Sequence, residues 1–322
     1  DLPVDFLCVP LLGSRFLDHV ERPGLVLRLV IADVVIVDRC TQEFAGTRIA
    51  RLQTKCLAAG VQFKADRERV ACESYYQCTL AALNAAGIEA SDVTVIVITH
   101  MHGDHVGGNE AIGEGGGVII AHDNIRKRMS TTQFNHFWNG ETPAWPDAAL
   151  PVVTFNDRVT LHLNGEAVTA YHVPRGHTDG DSIIHFPESN VLHMGDIYFN
   201  GLYPYIDLDA GGTVQGMIGA VELGLELADE ETKIIPGHGP LTDRAGMQGY
   251  LAMLVEIRDR VQALIDQGMS REQVVAARPT AQWDEELGNA FIKPDNLAIF
   301  VYNSLTGVDR FTPLEGNGTT TE

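Results

Sequence analysis

Cysteine is scarce, and it is placed wrongly for a disulfide framework. The chain has 5 Cys in 322 residues, and Cys8, Cys40, Cys56, Cys72 and Cys78 all fall in the first quarter without a C-x-x-C pair. An odd, unpaired set reads as buried or free thiols, not as a disulfide scaffold or a thiolate zinc knot. Positive charge is also short: 23 Lys plus Arg against 43 Asp plus Glu leave a net charge of −20. Such a surface repels phosphate backbones and anionic lipids, so neither a nucleic-acid nor a membrane partner is expected. The densest basic stretch, Arg126-Lys127-Arg128, reads as the solvated face of a short helix. A run of about eighteen apolar residues is missing, so no membrane-spanning helix is expected and the chain reads as soluble. A leader segment is not recognisable either, and the chain begins at Asp1, which leaves the compartment open between cytoplasm and periplasm.

What is present is ordinary apolar content, 45% of the residues, enough for the core of one large α/β domain or two modest ones. Residues 25–37 are apolar and β-branched and read as a hairpin turning at Ala32-Asp33. Ser74-x-x-Gln77 has the spacing of a capping box, and Gly87 sits where a helix would end. Residues 93–98 form a continuous apolar run of strand length, hence a buried strand. Residues 118–121 read as another strand, with Asp123 capping the helix of the basic triplet. Residues 131–150, with Trp138 and Trp145, show no period and read as a long loop, a place where function often resides. Short strands at 152–155, 159–163, 167–173, 182–186 and 191–194 are expected to neighbour one another in one sheet. Beyond them, Val214, Met217, Ile218, Val221 and Leu225 step at helical spacing, Lys233 to Ile235 is a short strand, and Tyr250, Leu254, Ile257, Val261 and Leu264 mark a long amphipathic helix ending at Gly268. Ser270-x-x-Gln273 caps another helix and Pro294 opens a last one, while the Gly- and Thr-rich tail after Pro313 reads as frayed.

The sharpest chemical signal is His100-x-His102-x-Asp104-His105 at the end of the buried 93–98 strand. On extended backbone, residues two apart point the same way, so His100 and His102 can grip one metal while Asp104 and His105 turn toward a second. Three later strand ends repeat the pattern in glycine-containing turns: Gly176-His177, Gly195-Asp196 and Gly237-His238. Glycine lets backbone pass close to such a centre. Each turn is weak alone, but four strand-end sites compatible with one face of a β-sandwich form a coherent set.

These residues resemble the metallo-β-lactamase superfamily of hydrolases, whose H-x-H-x-D-H signature stands here as His100, His102, Asp104 and His105, followed in order by His177, Asp196 and His238. The resemblance covers about residues 25–240. It implies an α/β fold, an αβ/βα four-layer sandwich with the site at one edge of the sheets. It also implies a core over 1–240 and a helical C-terminal extension, 241–322, packed on the same domain. One metal would be held by His100, His102 and His177, and a second by Asp104, His105 and His238, with Asp196 bridging them. Asp stands at 196, where one lactamase subclass places cysteine, so both metals would have N and O ligands only, as in glyoxalase II-like and lactonase-like branches. His102 stands where flavodiiron relatives place glutamate, which argues against a di-iron oxygen-reducing centre.

The implied cofactor is two Zn2+, with iron and manganese as alternatives, and the implied partner is a small-molecule substrate. Oligomeric state is not encoded in any pattern found. A metal pair brings the pKa of a shared water from about 15.7 to near 7, so the expected chemistry is hydroxide attack on a carbonyl of a cyclic amide or ester, a β-lactam or lactone. Asp104 is the expected catalytic residue, ligating the second metal, orienting the nucleophile and carrying a proton to the leaving atom. Thr178, Asp179 and Asp181 are candidates for steadying the imidazoles, by nearness in sequence. His19, His122, His136, His162, His172, His185 and His193 read as structural or surface residues. Tyr198, Tyr203 and Tyr205 could offer an oxyanion donor, although lactonase relatives carry theirs where this chain has Phe199. The 138–145 segment reads either as an apolar wall over the site or as packing onto the body. Two other functions remain compatible with the motif: a thioesterase of glyoxalase II type, and a mononuclear iron persulfide dioxygenase using His100, His177 and Asp196. The charge disfavours a nucleic-acid hydrolase, and an intact set of seven ligands disfavours a dead binding module.

Overall fold

The computed structural model describes residues 34–36, 93–163 and 165–314. The strand expected near residue 37 is present as β1 (Val34–Ile36), while the rest of that hairpin, the Ser74 capping box, Gly87, the five cysteines, His19 and the tail beyond 314 lie outside the described residues.

From β2 (Val95–Val97) the chain passes into the short helices α1 (Gly103–Val106) and α2 (Asn109–Glu114), then β3 (Val118–His122) and α3 (Asp123–Met129). A small hairpin follows, β4 (Gln133–Asn135) and β5 (Gly140–Thr142), then β6 (Val153–Phe155). Strands β7 (Arg158–Leu163), β8 (Glu166–His172), β9 (Ser182–Phe186) and β10 (Val191–Phe199) lead to helix α4 (Val214–Leu227) and strand β11 (Lys233–His238). Helices α5 (Arg244–Asp266), α6 (Arg271–Ala276), α7 (Asp284–Leu287) and α8 (Pro294–Thr306) complete the described chain.

Two sheets result, one ordered β1-β2-β3-β6 and the other β11-β10-β9-β8-β7. Strand alternation sorts their side chains into three apolar seams. Val97 and Ile120 point into the seam between the sheets with Ile184, Phe186 and Ile235. Their chain neighbours Ile96, Ile98, Ile119 and Ala121 point the other way, onto Ile112, Ile125 and Met129 of α2 and α3. On the far side, Leu192 and Met194 of β10 meet Met217 and Val221 of α4, Leu254 and Ile257 of α5, and Leu297 and Phe300 of α8. Helix, sheet, sheet, helix is the four-layer αβ/βα sandwich, and the C-terminal helices thicken its last layer. No described helix is long and apolar enough to cross a membrane.

Four local expectations are corrected. The 152–155 strand does not join its sequence neighbours: β6 pairs parallel to β3 in the first sheet, and Phe155 crosses into the seam between sheets. The 131–150 segment is not a plain loop, because β4 and β5 pair antiparallel and residues 147–149 form a 3-10 turn. The cap of α3 is His122, whose Nδ1 accepts from Asn124 N at 3.2 Å, so Asp123 is already helical. Arg128 is not a solvated charge: its Nε and Nη2 donate to the two carboxylate oxygens of Asp179, each at 2.8 Å. Among the described residues, a full capping box is found at Ser270 and Gln273, and Pro294 stands in the first turn of α8, as expected.

Candidate metal centre

All seven motif residues converge where β2, β8, β10 and β11 end on one edge of the sandwich. Strand β2 delivers His100, buried at 1% exposure, and the next turn delivers His102, Asp104 and His105. The loop after β8 brings His177, also fully buried. Strand β10 carries Asp196 over a bulge at Gly195, where φ is +52° and a Cβ would lie 2.8 Å from Thr99. Strand β11 runs parallel to β10 and ends at His238. Gly237 is required by proximity: a Cβ there would sit 2.0 Å from Asp196 Oδ1.

The ligand-type atoms fall into two adjoining groups, His100, His102, His177 and Asp196 in one and Asp104, His105 and His238 in the other. Asp196 faces both. Its Oδ2 lies 3.7 Å from His100 Nε2, 3.6 Å from His177 Nε2 and 3.3 Å from His238 Nε2, and its Oδ1 lies 3.1 Å from His105 Nε2. Asp104 Oδ2 lies 3.4 Å from His105 Nε2 and 3.3 Å from His238 Nε2. A tetrahedral ion with 2.0–2.1 Å bonds separates its ligands by roughly 3.3–3.4 Å, so these spacings suit a metal better than direct hydrogen bonds.

Tautomers make the argument sharper. His177 Nδ1 lies 2.8 Å from the Tyr205 carbonyl, which can only accept, so Nδ1 carries the proton and Nε2 presents a lone pair. His102 Nε2 lies 2.8 Å from Asp207 Oδ2, so that nitrogen is the donor and Nδ1 presents the lone pair. The two lone pairs, His177 Nε2 and His102 Nδ1, face each other at 2.8 Å. Only a cation between them, a proton or a metal, makes that contact favourable. His100 Nε2 is buried beside them without a hydrogen-bond partner among the described residues, an orphan that a metal would satisfy. The donor set therefore fits metal ions.

Electrostatics follow from burial opposed by close pairing. Burial works to raise the Asp196 carboxyl, but the His238, His105 and His100 rings outweigh it and hold the group well below the usual carboxylate range. Asp104 behaves likewise, with His105 and His238 outweighing burial. Burial works against protonation of His238, and the Asp196 and Asp104 carboxylates prevail, carrying it up to about 9. His177 goes the other way: burial dominates and lowers it to about 4. His100 is likewise lowered well below its ordinary value by burial and by neighbouring His105.

The residues that steady the imidazoles differ from the sequence expectation. Asp207, 2% exposed, fixes His102; its Oδ1 accepts from Ala210 N at 3.0 Å, and Asn135 Nδ2 approaches its Oδ2 at 3.3 Å. No sequence motif marked it, although its flanks Ile206 and Leu208 belong to a buried run. Thr178, Asp179 and Asp181 touch no ligand ring. Asp181 instead accepts from Thr178 N at 2.9 Å and Thr178 Oγ1 at 2.5 Å, shaping the turn that presents His177. Asp179 holds Arg128.

The remaining candidates are placed as follows. Tyr203 donates to the Thr280 carbonyl at 3.1 Å, and Tyr198 packs on Tyr250. Tyr205 is the tyrosine beside the centre, its ring stacked on His102 at 5.8 Å and its hydroxyl accepting from Asn135 at 2.6 Å. His193 Nδ1 accepts from Gly195 N at 3.1 Å, His122 stacks on His172 at 3.6 Å, and His136 pairs with Asp209 at 2.6 Å. These four histidines are structural in geometry.

A family model described as the metallo-beta-lactamase superfamily matches residues 64–238, more than half of the chain. No curated protein matches. Among solved structures, a metallo-beta-lactamase from Pontibacter korlensis is 22% identical, with 50% of this chain and 69% of that chain covered and a TM-score of 0.41. The BLEG-1 B3 metallo-beta-lactamase is 22% identical over 56% of this chain and 84% of that chain, at a TM-score of 0.46. The stereoselective inverting sec-alkylsulfatase Pisa1 from Pseudomonas sp. is 15% identical, covering 74% of this chain and 47% of that chain, at a TM-score of 0.52. The chain thus spans less than half the length of that alkylsulfatase, and the likeness between the two is one of fold. With its layers, its strand-end site and the family match in agreement, the chain belongs to the metallo-β-lactamase superfamily.

Proposed function

We propose that the protein is a two-metal hydrolase of a small carbonyl compound, a cyclic amide or ester of the β-lactam or lactone type. The single observation that carries this reading is the bridging placement of Asp196, whose two oxygens lie 3.1–3.7 Å from imidazole nitrogens of both ligand groups. In it, His100, His102 and His177 would hold one zinc, Asp104, His105 and His238 would hold the other, and the core up to about residue 240 would carry the chemistry. When bound, such a pair supplies Lewis-acid polarisation of a carbonyl and a water acidic enough to ionise near neutral pH.

The chain's own groups do the rest. Asp207 and the Tyr205 carbonyl lock His102 and His177 in the tautomers that offer lone pairs. Asp104 stays ionised and is 24% exposed, so its carboxylate can orient an attacking water and take its proton for delivery to the leaving atom. Buried His100 and His177 remain neutral, as ligation requires. Asp104, His105 and His238 assemble beside the first group as a second metal position, which a one-iron dioxygenase using only His100, His177 and Asp196 would leave empty, so metal stoichiometry separates the two readings.

The test is elemental analysis joined to a panel of β-lactam, lactone, thioester, sulfate ester and phosphodiester. Two metals per chain with lactone or lactam turnover is the expected result. One iron per chain with oxygen consumption overturns the proposal, and thioester turnover alone moves it to the glyoxalase II type.

A further inference from the structure

Aromatic rings form a continuous wall from His102 to His238, two partly buried imidazoles of opposite ligand groups. Tyr205 stacks on His102 at 5.8 Å, and Trp138 meets Tyr205 at 5.9 Å. Trp138 in turn stacks on Phe291 at 6.4 Å and 27°, and Phe291 meets His238 at 5.9 Å. Phe199 backs the far end, stacked on His238 at 5.1 Å and touching Phe291 at 6.2 Å. Four separate parts of the chain contribute: the β4–β5 hairpin, strand β10, the loop after β10 that carries Tyr205, and the segment before α8.

The middle of this wall is open. Trp138 is 51% exposed, and Phe134 on the same hairpin is 44% exposed beside a recess it shares with Met101 and His102. Scattered exposed hydrophobics are commonplace, but a half-exposed indole continuous with a metal centre is a ready contact surface for an apolar group. The hairpin is also held rigidly. Asn135 Oδ1 accepts from Trp138 N at 3.0 Å, Asp209 takes both His136 N at 2.9 Å and His136 Nδ1, and Phe137 is wedged against Phe300 and Phe311.

The described side chains beside the centre offer no free receptor for a carboxylate. Among the described residues lining the two recesses beside His102, Arg128 is the permanent cation, and Asp207 and Asp209 are close by. Arg128 is already engaged, with Nε and Nη2 on Asp179 and Nη1 on Gln133 Oε1 at 3.1 Å. Three of its five N–H groups are thus taken, and its bidentate Nε/Nη2 edge is occupied by Asp179 and not presented to a substrate carboxylate.

We propose that Trp138 and Phe291 form an apolar subsite for a neutral acyl or alkyl chain, so that the substrates are uncharged lipophilic lactones or esters and not carboxylate-bearing lactams or thioesters. This rests on the hydrolase reading above and narrows it. A wall covers one side of a chain, so the gain is about two-fold per methylene, where full burial would give about four-fold.

Two measurements on zinc-supplemented protein test the proposal. The first is calorimetric binding of 1-hexanol to 1-nonanol, which needs no turnover. The second is kcat/KM for γ-lactones of increasing alkyl chain length, alongside a carboxylated lactone of matched size. Both series should rise about two-fold per methylene, the carboxylated analogue should fall well behind, and Trp138→Ala or the conservative Phe291→Leu should flatten both slopes. Hydrolysis with a flat wild-type slope, a slope unchanged by both variants, or preference for the carboxylated lactone overturns the subsite while leaving the hydrolase reading standing. Alkanol binding that depends on Trp138 without hydrolysis of any lactone or lactam supports the subsite and removes the hydrolase reading instead.

Discussion

Replacing Asp207 by alanine should weaken metal binding by a predictable amount. The carboxylate accepts from His102 Nε2 at 2.8 Å and from Ala210 N at 3.0 Å in a setting only 2% exposed. Its removal orphans two buried donors, at about 1–3 kcal/mol each, and frees His102 to rotate or to move its proton onto the ligating nitrogen. Loss of such a partner typically costs 10–100-fold in metal affinity, about 1.4–2.7 kcal/mol. Asp207→Asn keeps an acceptor but not the charge and should fall near the lower end. The assay is competition against a chromophoric chelator, with thermal melting of the metal-free proteins alongside to separate binding from folding. Glu166 makes a useful control, since it is a buried carboxylate at the far end of β8 that accepts from Ser189 Oγ at 2.9 Å. Glu166→Gln should lower the melting temperature with metal affinity unchanged. If Asp207→Ala bound metal as tightly as wild type, the tautomer argument that defines the first ligand group would be refuted.

Gly237→Ala should abolish metal binding and also lower the melting temperature, because its Cβ falls 2.0 Å from Asp196 Oδ1 and 2.7 Å from the Gly195 carbonyl carbon, so both the bridging carboxylate and the β10 backbone must shift; normal metal content in the variant would contradict this. Asp181 should make stability depend on pH: burial raises its carboxyl from 3.8 to about 7, so its contribution is complete below about pH 4 and is lost as pH rises through about 7. Asp181→Asn escapes that loss and should gain on wild type by up to about 4 kcal/mol between pH 4 and pH 8; denaturant melts with a pH-independent difference would rule it out. His238 should be protonated in the metal-free protein up to about pH 9, so metal uptake should release a proton and tighten with pH up to that value, which calorimetry in buffers of different ionisation enthalpy would reveal as a buffer-dependent heat.

The ligands were legible because their chemistry is local. His100 to His105 are contiguous at the end of an apolar strand, and His177, Asp196 and His238 each follow a glycine next to an apolar run, although Asp196 lies within β10 past the Gly195 bulge and His238 closes β11. Their supports were illegible because they are remote: Asp207 lies 105 residues from the His102 it orients, and nothing in Ile206-Asp207-Leu208 distinguishes a buried acceptor from a surface acid. The β4–β5 hairpin escaped notice for a different reason. Its strands lack alternation, and it is held by Phe137 packing on Phe300 and Phe311 and by the His136 to Asp209 pair, contacts to residues more than 70 positions away in the sequence. Strand β6 was misassigned because sequence adjacency to β7 outweighed the signal of Phe155, whose ring fills the seam between sheets.

The central claim is that two metal positions share Asp196, and elemental analysis of zinc-supplemented, dialysed protein tests it most directly. Wild type should hold two metals per chain, and His102→Ala and His238→Ala should each lose one, since each removes a ligand from a different group. A wild-type stoichiometry of one, or full metal content in His238→Ala, would contradict the account.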